Sequence, residues 1–175
     1  YTNLLDDSLN EEIFATLLHE VHHILGFQSS YIPFFWNRST LGYRPESEVI
    51  QTTETYTRLI RPEVVSWVNT HFACSENLGV PLENDGNEGS AASHFEMLVL
   101  GNEMLNPASF YNSPFSGATI AYIESMGFFK VKSPKTKMEE VLFWGKNTGC
   151  GPLRDNPICA NIPMTCKFTG RVCSD

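Results

Sequence analysis

The stretch TLLHEVHHILGF, residues 16–27, places three of the chain's five histidines and one glutamate within five consecutive positions. Around it Ile13, Phe14, Leu17, Leu18, Val21, Ile24 and Leu25 recur with helical period, Ser8 and Glu11 have capping-box spacing, and Gly26 ends the run. At roughly 100° per residue, those apolar side chains fill one arc, whereas Glu12, Thr16, His19, Glu20 and His23 lie on the other. The expectation is a helix whose apolar arc packs and whose polar side faces a cleft. His19 and His23, one helical turn apart, can then aim both imidazoles at one ion, with Glu20 beside them. This is the HExxH pattern, in which two neutral histidines hold zinc and the glutamate takes a proton from the water that the ion activates. His22 falls about a quarter turn off that face and reads as a rim residue. The bland alternative, a surface helix with a chance run of histidines, requires residue type, spacing and amphipathic context to coincide.

A catalytic zinc usually takes three protein ligands and keeps its fourth position for water. Gly26, three positions past His23, can adopt a left-handed conformation that turns the chain back toward the metal. Where HExxHxxG continues as HExxHxxGxxH, a third histidine follows at position 29, but here that position is Ser29. Only His71 and His94 remain further on. His94 lies in GSAASHFE, whose small residues let a backbone pass close to another element, and it is the better candidate. His71 continues a helix marked by Val64, Val68 and Phe72, four residues apart, and reads as structural. Two rivals stand beside this reading: a carboxylate third ligand, Glu48 or Glu54, and a non-catalytic adhesion or binding module.

The bulk properties bound the choice. A chain of 175 residues with 42% hydrophobic residues is about one domain and can bury a core. The net charge of -8 argues against a nucleic-acid partner. No apolar run approaches the roughly 20 residues of a membrane helix, and no basic-then-apolar leader opens the chain, so it reads as soluble. It begins at Tyr1 close to an important helix and is read as a fragment of a longer protein. Of five cysteines, Cys150, Cys159, Cys166 and Cys173 crowd the last 26 residues without CxxC spacing, which favours disulfides in an oxidising compartment over a structural zinc. Asn37-Arg38-Ser39 is a glycosylation sequon that agrees with secretion. The chain has no GxSxG elbow, no plausible catalytic cysteine and no phosphate-cradling loop.

At these motifs the sequence resembles the leishmanolysin family, the metzincin type in which a long insertion separates the glycine from the third histidine. HEVHHILGF carries the resemblance, joined in order by HFAC (71–74), GSAASHFE (89–96), NEMLNP (102–107), SGATIAYIESMGFF (116–129) and WGKNTGC (144–150). The resemblance implies one catalytic Zn2+ held by His19, His23 and His94, with Glu20 as general base and Met104 supplying the Met-turn under the metal site. It implies a Cys74–Cys150 bridge, leaving Cys159, Cys166 and Cys173 to a cysteine-rich tail. Its activity would be hydrolysis of peptide bonds in protein or peptide substrates, at the cell surface or outside the cell. Any membrane attachment would come through an anchor outside this chain. Because the wall of the cleft upstream of the zinc helix is not in this sequence, the fragment alone is expected to have low or no activity.

The expected fold is α+β, mainly α, the C-terminal part of a metzincin-type zincin. Residues 1–130 form its zinc-binding part, with an insertion at about 28–93, and 131–175 form the cysteine-rich tail, which the basic, proline-containing stretch Lys130–Lys137 sets off. YIPFFW (31–36) reads as an aromatic loop over the core, 48–60 as a strand or hairpin, Pro62 to Phe72 as a helix, and 82–89 as a loop. Ser113 and Pro114 read as N-cap and N1 of a helix that Gly127 stops near Met126.

Overall fold

The computed structural model describes residues 7–54, 56–84, 90–108, 113–132 and 140–154, with side chains of the first helix from Ile13 onward, and the backbone of 167–168 and 171–172. Cys159, Cys166 and Cys173 lie outside the described residues. The first helix, α1, runs Asp7–Leu25, so Ser8 falls inside its first turn and is not its N-cap. A 3-10 turn, Ser29–Phe34, follows and leads into a short hairpin of β1 (Trp36–Asn37) and β2 (Gly42–Tyr43).

The stretch expected as a strand or hairpin forms β3 (Ile50–Thr52) and β4 (Thr57–Leu59), antiparallel, with Ile50 opposite Leu59. Strand β5 (Val80–Pro81) completes a three-stranded sheet in the order β3-β4-β5. Between β4 and β5 lies α2, Pro62–Phe72, which starts with its proline at the first turn, where a missing N–H costs nothing. Then come α3 (Met97–Leu100) and α4 (Gly117–Ser125), and β6 (Lys167–Phe168) pairs with β7 (Arg171–Val172) near the end. The architecture is mixed helix and strand, of the α+β kind.

One core serves these elements. Helix α2 packs against α4, inserting Val64, Val68 and Phe72, which sit on one face because they are four apart. Leu59 and Val80 of the sheet, Phe27 and Phe35 of the segment after α1, and Leu142 and Leu153 join the same cluster. Each such side chain contributes on the order of 1.5–3 kcal/mol by leaving water. Cys74, just beyond α2, is disulfide-bonded to Cys150, a bridge closing 76 residues and expected to stabilise by about 4 kcal/mol.

Helix α4 starts later than Ser113-Pro114 predicts. Its N-cap is Ser116, whose hydroxyl accepts from the Ala118 N–H at 3.1 Å, while the Pro114 carbonyl is used in accepting from Met104 N–H at 3.1 Å. A proline in an extended segment that receives a distant strand-like bond cannot also open the helix. At the other end Gly127 stops it with φ +83°, where an added Cβ would lie 2.0 Å from the Trp36 carbonyl oxygen.

The larger departure concerns α1. The arc expected to pack is exposed: Phe14 is 63% and Ile24 78% accessible, and Ile13, Leu17 and Val21 are exposed as well. Leu18, at the edge of that arc beside His22, is the one of these residues that rests against the core. On the other side His19 is buried while Thr16 and Glu20 are exposed, and His22, expected at the rim, is buried with its Nδ1 2.6 Å from the Leu18 carbonyl oxygen and its ring against Phe115. Periodicity identifies residues that share a face; the later segments of the chain decide which face they cover. Here they settle on the histidines.

Candidate metal centre

Helix α1 presents His19 and His23 on one side, one turn apart. After them Gly26, with φ +121°, turns the chain, and a Cβ there would lie 2.2 Å from Met126 Cε. That backbone conformation favours glycine, and a side chain there would also have to displace the tip of Met126. The turn is then anchored: the Tyr122 hydroxyl of α4 donates to the Gly26 carbonyl at 2.9 Å, and the Phe27 ring packs on Tyr122 and on Phe95. Burial pushes the Tyr122 phenol above its ordinary range, so it stays protonated and able to donate.

Phe95 is the neighbour of His94, and the segment carrying both is held on two sides. Glu83 N–H donates to the His94 carbonyl at 2.9 Å, and Phe95 N–H donates to the Leu105 carbonyl at 3.0 Å. Ser29, the position at which HExxHxxGxxH would have its histidine, donates its N–H to Ser93 Oγ at 3.2 Å. The chain thus crosses from the glycine turn to the third histidine at that point.

His19, His23 and His94 form the one group of three or more metal-donor side chains among the described residues, their candidate ligand atoms within 4.8 Å of one another. His19 Nε2 lies 2.9 Å from His23 Nε2 and 3.2 Å from His94 Nε2. Each Nδ1 faces a carbonyl oxygen: Met104 for His19 at 2.7 Å, Phe27 for His23 at 2.6 Å, and Ser90 for His94 at 3.2 Å. A carbonyl can only accept, so each ring carries its proton on Nδ1 and turns a bare Nε2 lone pair inward. Three lone pairs meeting with no proton between them repel unless a cation stands among them. Tetrahedral zinc with bonds of about 2.0–2.1 Å sets its nitrogens about 3.3 Å apart, close to the two spacings from His19, with all three donor atoms inside 4.8 Å. Burial lowers the pKa of His19 and brings that of His94 down from 6.5 to about 4, keeping both rings neutral as ligation requires. The residues fit a zinc ion.

Glu20 is exposed, one position past His19 on the open side of α1. Met104 is buried, and its carbonyl is the acceptor of His19. His71 stands elsewhere, stacked on Trp67, with its Nε2 2.8 Å from the Trp144 carbonyl oxygen. Glu48 pairs with Arg44 at 3.0 Å, and neither it nor Glu54 joins the donor group. Sequence reasoning passed over Glu103 of NEMLNP, which is 0% exposed and accepts from Ser116 Oγ, Thr119 Oγ1 and the Leu105 N–H. An acid set among Met, Leu and Pro was the available signal.

The sequence profile of the leishmanolysin peptidases matches residues 5–174. The leishmanolysin-like peptidase of Drosophila melanogaster is 27% identical over 188 residues, covering 86% of this chain and 27% of that protein. Leishmanolysin of Leishmania tropica is 27% identical over 157 residues, covering 90% of this chain and 22% of its own length. The ciliated left-right organizer metallopeptidase of Xenopus laevis is 28% identical over 185 residues, 98% of this chain and 24% of that protein. The chain therefore spans about a quarter of the length of these relatives. With a family match running almost end to end, the chain belongs to the leishmanolysin peptidase family.

Proposed function

We propose that this chain is the metal-binding part of a zinc metalloendopeptidase, in which His19, His23 and His94 hold one Zn2+ and Glu20 is the general base. The observation that supports it most directly is the meeting of three Nε2 atoms in rings whose Nδ1 atoms each lie against a carbonyl oxygen. Zinc, when bound, supplies a Lewis acid that polarises a scissile carbonyl and brings the pKa of a water toward about 7. Glu20, open to solvent beside His19, takes the proton of the attacking water and delivers it to the departing amine. Phe27, Ser90 and Met104 lend their carbonyls to fix the three rings, the service that outer-shell acceptors give to histidine ligands. No covalent intermediate with the chain is involved.

In this reading Met104 occupies the Met-turn, residues 1–130 carry the metal-binding machinery with an insertion at about 28–93, and 131–175 are the cysteine-rich tail. The first part of that tail packs on the common core through Leu142 and Leu153. Substrates are proteins or peptides, and the disulfide fits a secreted or cell-surface setting. No helix among the described residues is long and apolar enough to cross a membrane, and membrane attachment is assigned to an anchor outside this chain.

Zinc content measured by elemental analysis tests the ligand set: the expectation is one ion per chain in the wild type and a large loss in His94→Ala. Full zinc retention in that variant would refute the third ligand. In the longer parent protein, Glu20→Gln is expected to lower kcat on a protein substrate by about 10²–10⁴-fold with zinc retained. Equal rates would remove the general base.

A further inference from the structure

The loop between α3 and α4 holds a carboxylate that the proposed chemistry does not use. Glu103 is 0% exposed, and burial drives its pKa upward. Its partners are neutral donors on both oxygens. Oε2 accepts from Leu105 N–H at 2.5 Å, and Oε1 accepts from Ser116 Oγ at 2.8 Å, Thr119 Oγ1 at 2.6 Å and, more distantly, Ser116 N–H at 3.4 Å. A group that only receives hydrogen bonds on both oxygens is serving as a carboxylate. Burying it is costly, and well-packed apolar replacements of such groups are often no less stable. Core filling alone therefore gives a poor reason for an acid at this position.

What the acid connects gives a better one. Ser116 caps α4 and Thr119 lies in its first turn, so Glu103 fastens the 103–105 loop to the start of that helix. The same three loop residues register two of the three imidazoles. The Met104 carbonyl accepts from His19 Nδ1 at 2.7 Å, and the Leu105 carbonyl accepts from the N–H of Phe95, next to His94, at 3.0 Å. Met104 N–H is fixed in turn by the Pro114 carbonyl. Rotating or sliding the loop by an ångström would move both carbonyls together, turning the ring of His19 and shifting the backbone of His94 relative to His23.

We propose that Glu103 is a positioning residue for the metal centre, setting through Met104 and Leu105 the angle at which His19 and His94 meet His23. The assignment rests on the metal reading above. It acts through backbone carbonyls that touch the His19 ring and the backbone beside His94 and are not themselves ligands, so its removal leaves the three ligands present and misaligned.

The test uses the full chain loaded with cobalt(II), whose visible absorption reports ligand geometry, together with zinc affinity measured by chelator competition. Glu103→Gln puts an amide NH2 where one oxygen receives hydrogen bonds, and Thr119→Val keeps the shape while deleting one donor. Both are expected to weaken zinc binding by about 10–100-fold and to change the cobalt bands. Val68→Ala, a core truncation in α2, is the control for general loosening and is expected to leave the bands unchanged. Should Glu103→Gln fail to fold, Thr119→Val and Ser116→Ala carry the test. Unaltered bands and affinity in the folded variants, or the same change in Val68→Ala, overturn the positioning role while leaving the metal site in place. A wild-type chain that takes up neither cobalt nor zinc overturns both.

Discussion

The two faces of α1 behave in opposite ways. The histidine face is covered: His19 and His22 are buried, and three rings on or against it are fixed by carbonyls from Leu18, Phe27 and Met104. The apolar face, with Phe14, Leu17, Val21 and Ile24, is open among the described residues. A helix that reads as amphipathic thus rests on the chain through the side whose polar groups need partners. Hydrophobic area sets how much a face gains from burial, but the rest of the fold must supply a surface to meet it. In this chain Phe27, the His94 segment and the 103–105 loop all converge on the histidines.

The contrast sharpens most with metal. If the covered face is built around a cation, free zinc at about a thousand times its dissociation constant stabilises the chain by about 4 kcal/mol, a rise in Tm on the order of 10 °C for this size. His23→Ala is expected to abolish the rise without much effect on the metal-free Tm. Calorimetry with and without zinc checks this; an equal rise in both proteins would break the link between the covered face and the ion.

A smaller effect of opposite character comes from protons. His94 has its folded pKa lowered from 6.5 to about 4, chiefly by burial. Between those values the unfolded chain binds more protons than the folded one, so metal-free stability rises with pH across this window and is lost as pH falls through it. A gap of that size corresponds to roughly 3 kcal/mol. Denaturant midpoints at pH 4 and 7 in metal-free protein read it, and His94→Asn is expected to flatten the slope. A slope unaffected by that substitution would assign the pH dependence to other groups.

Much of this was legible before any coordinates. The pairing of His19 with His23 follows from helical period; Pro62 and the Val64-Val68-Phe72 spacing marked α2; the threonine-rich run around Ile50 and Tyr56 marked the hairpin; Gly127 marked the end of α4. These are local rules, complete within a few residues. What escaped depends on partners far along the chain. His22 is buried because Phe115 comes to it, and Ser116 is the cap because Pro114 is engaged with Met104. Glu103 matters through bonds to α4 that no window around NEMLNP contains. His94 was reachable from its small-residue neighbours, although only the fold shows it 3.2 Å from His19.

The smallest expected effect belongs to the open face, and it is the sharpest check on the comparison. A side chain stabilises a fold by the water-accessible area it loses on folding, so an apolar residue that remains exposed contributes little whatever its hydrophobicity. Leu17→Ser and Ile24→Ser are therefore expected to change the stability of this chain by no more than about 0.5 kcal/mol, whereas Val68→Ala in the core, losing two buried methyls, costs about 2 kcal/mol. The same open face is a contiguous apolar strip along α1, which favours association between copies. Sedimentation at rising concentration is expected to show larger species for the wild type than for a Phe14→Glu, Ile24→Glu variant, with their denaturant midpoints alike. If these substitutions instead lowered the midpoint as much as Val68→Ala does, the arc would be covered by the chain itself, and the asymmetry between the two faces of α1 would disappear.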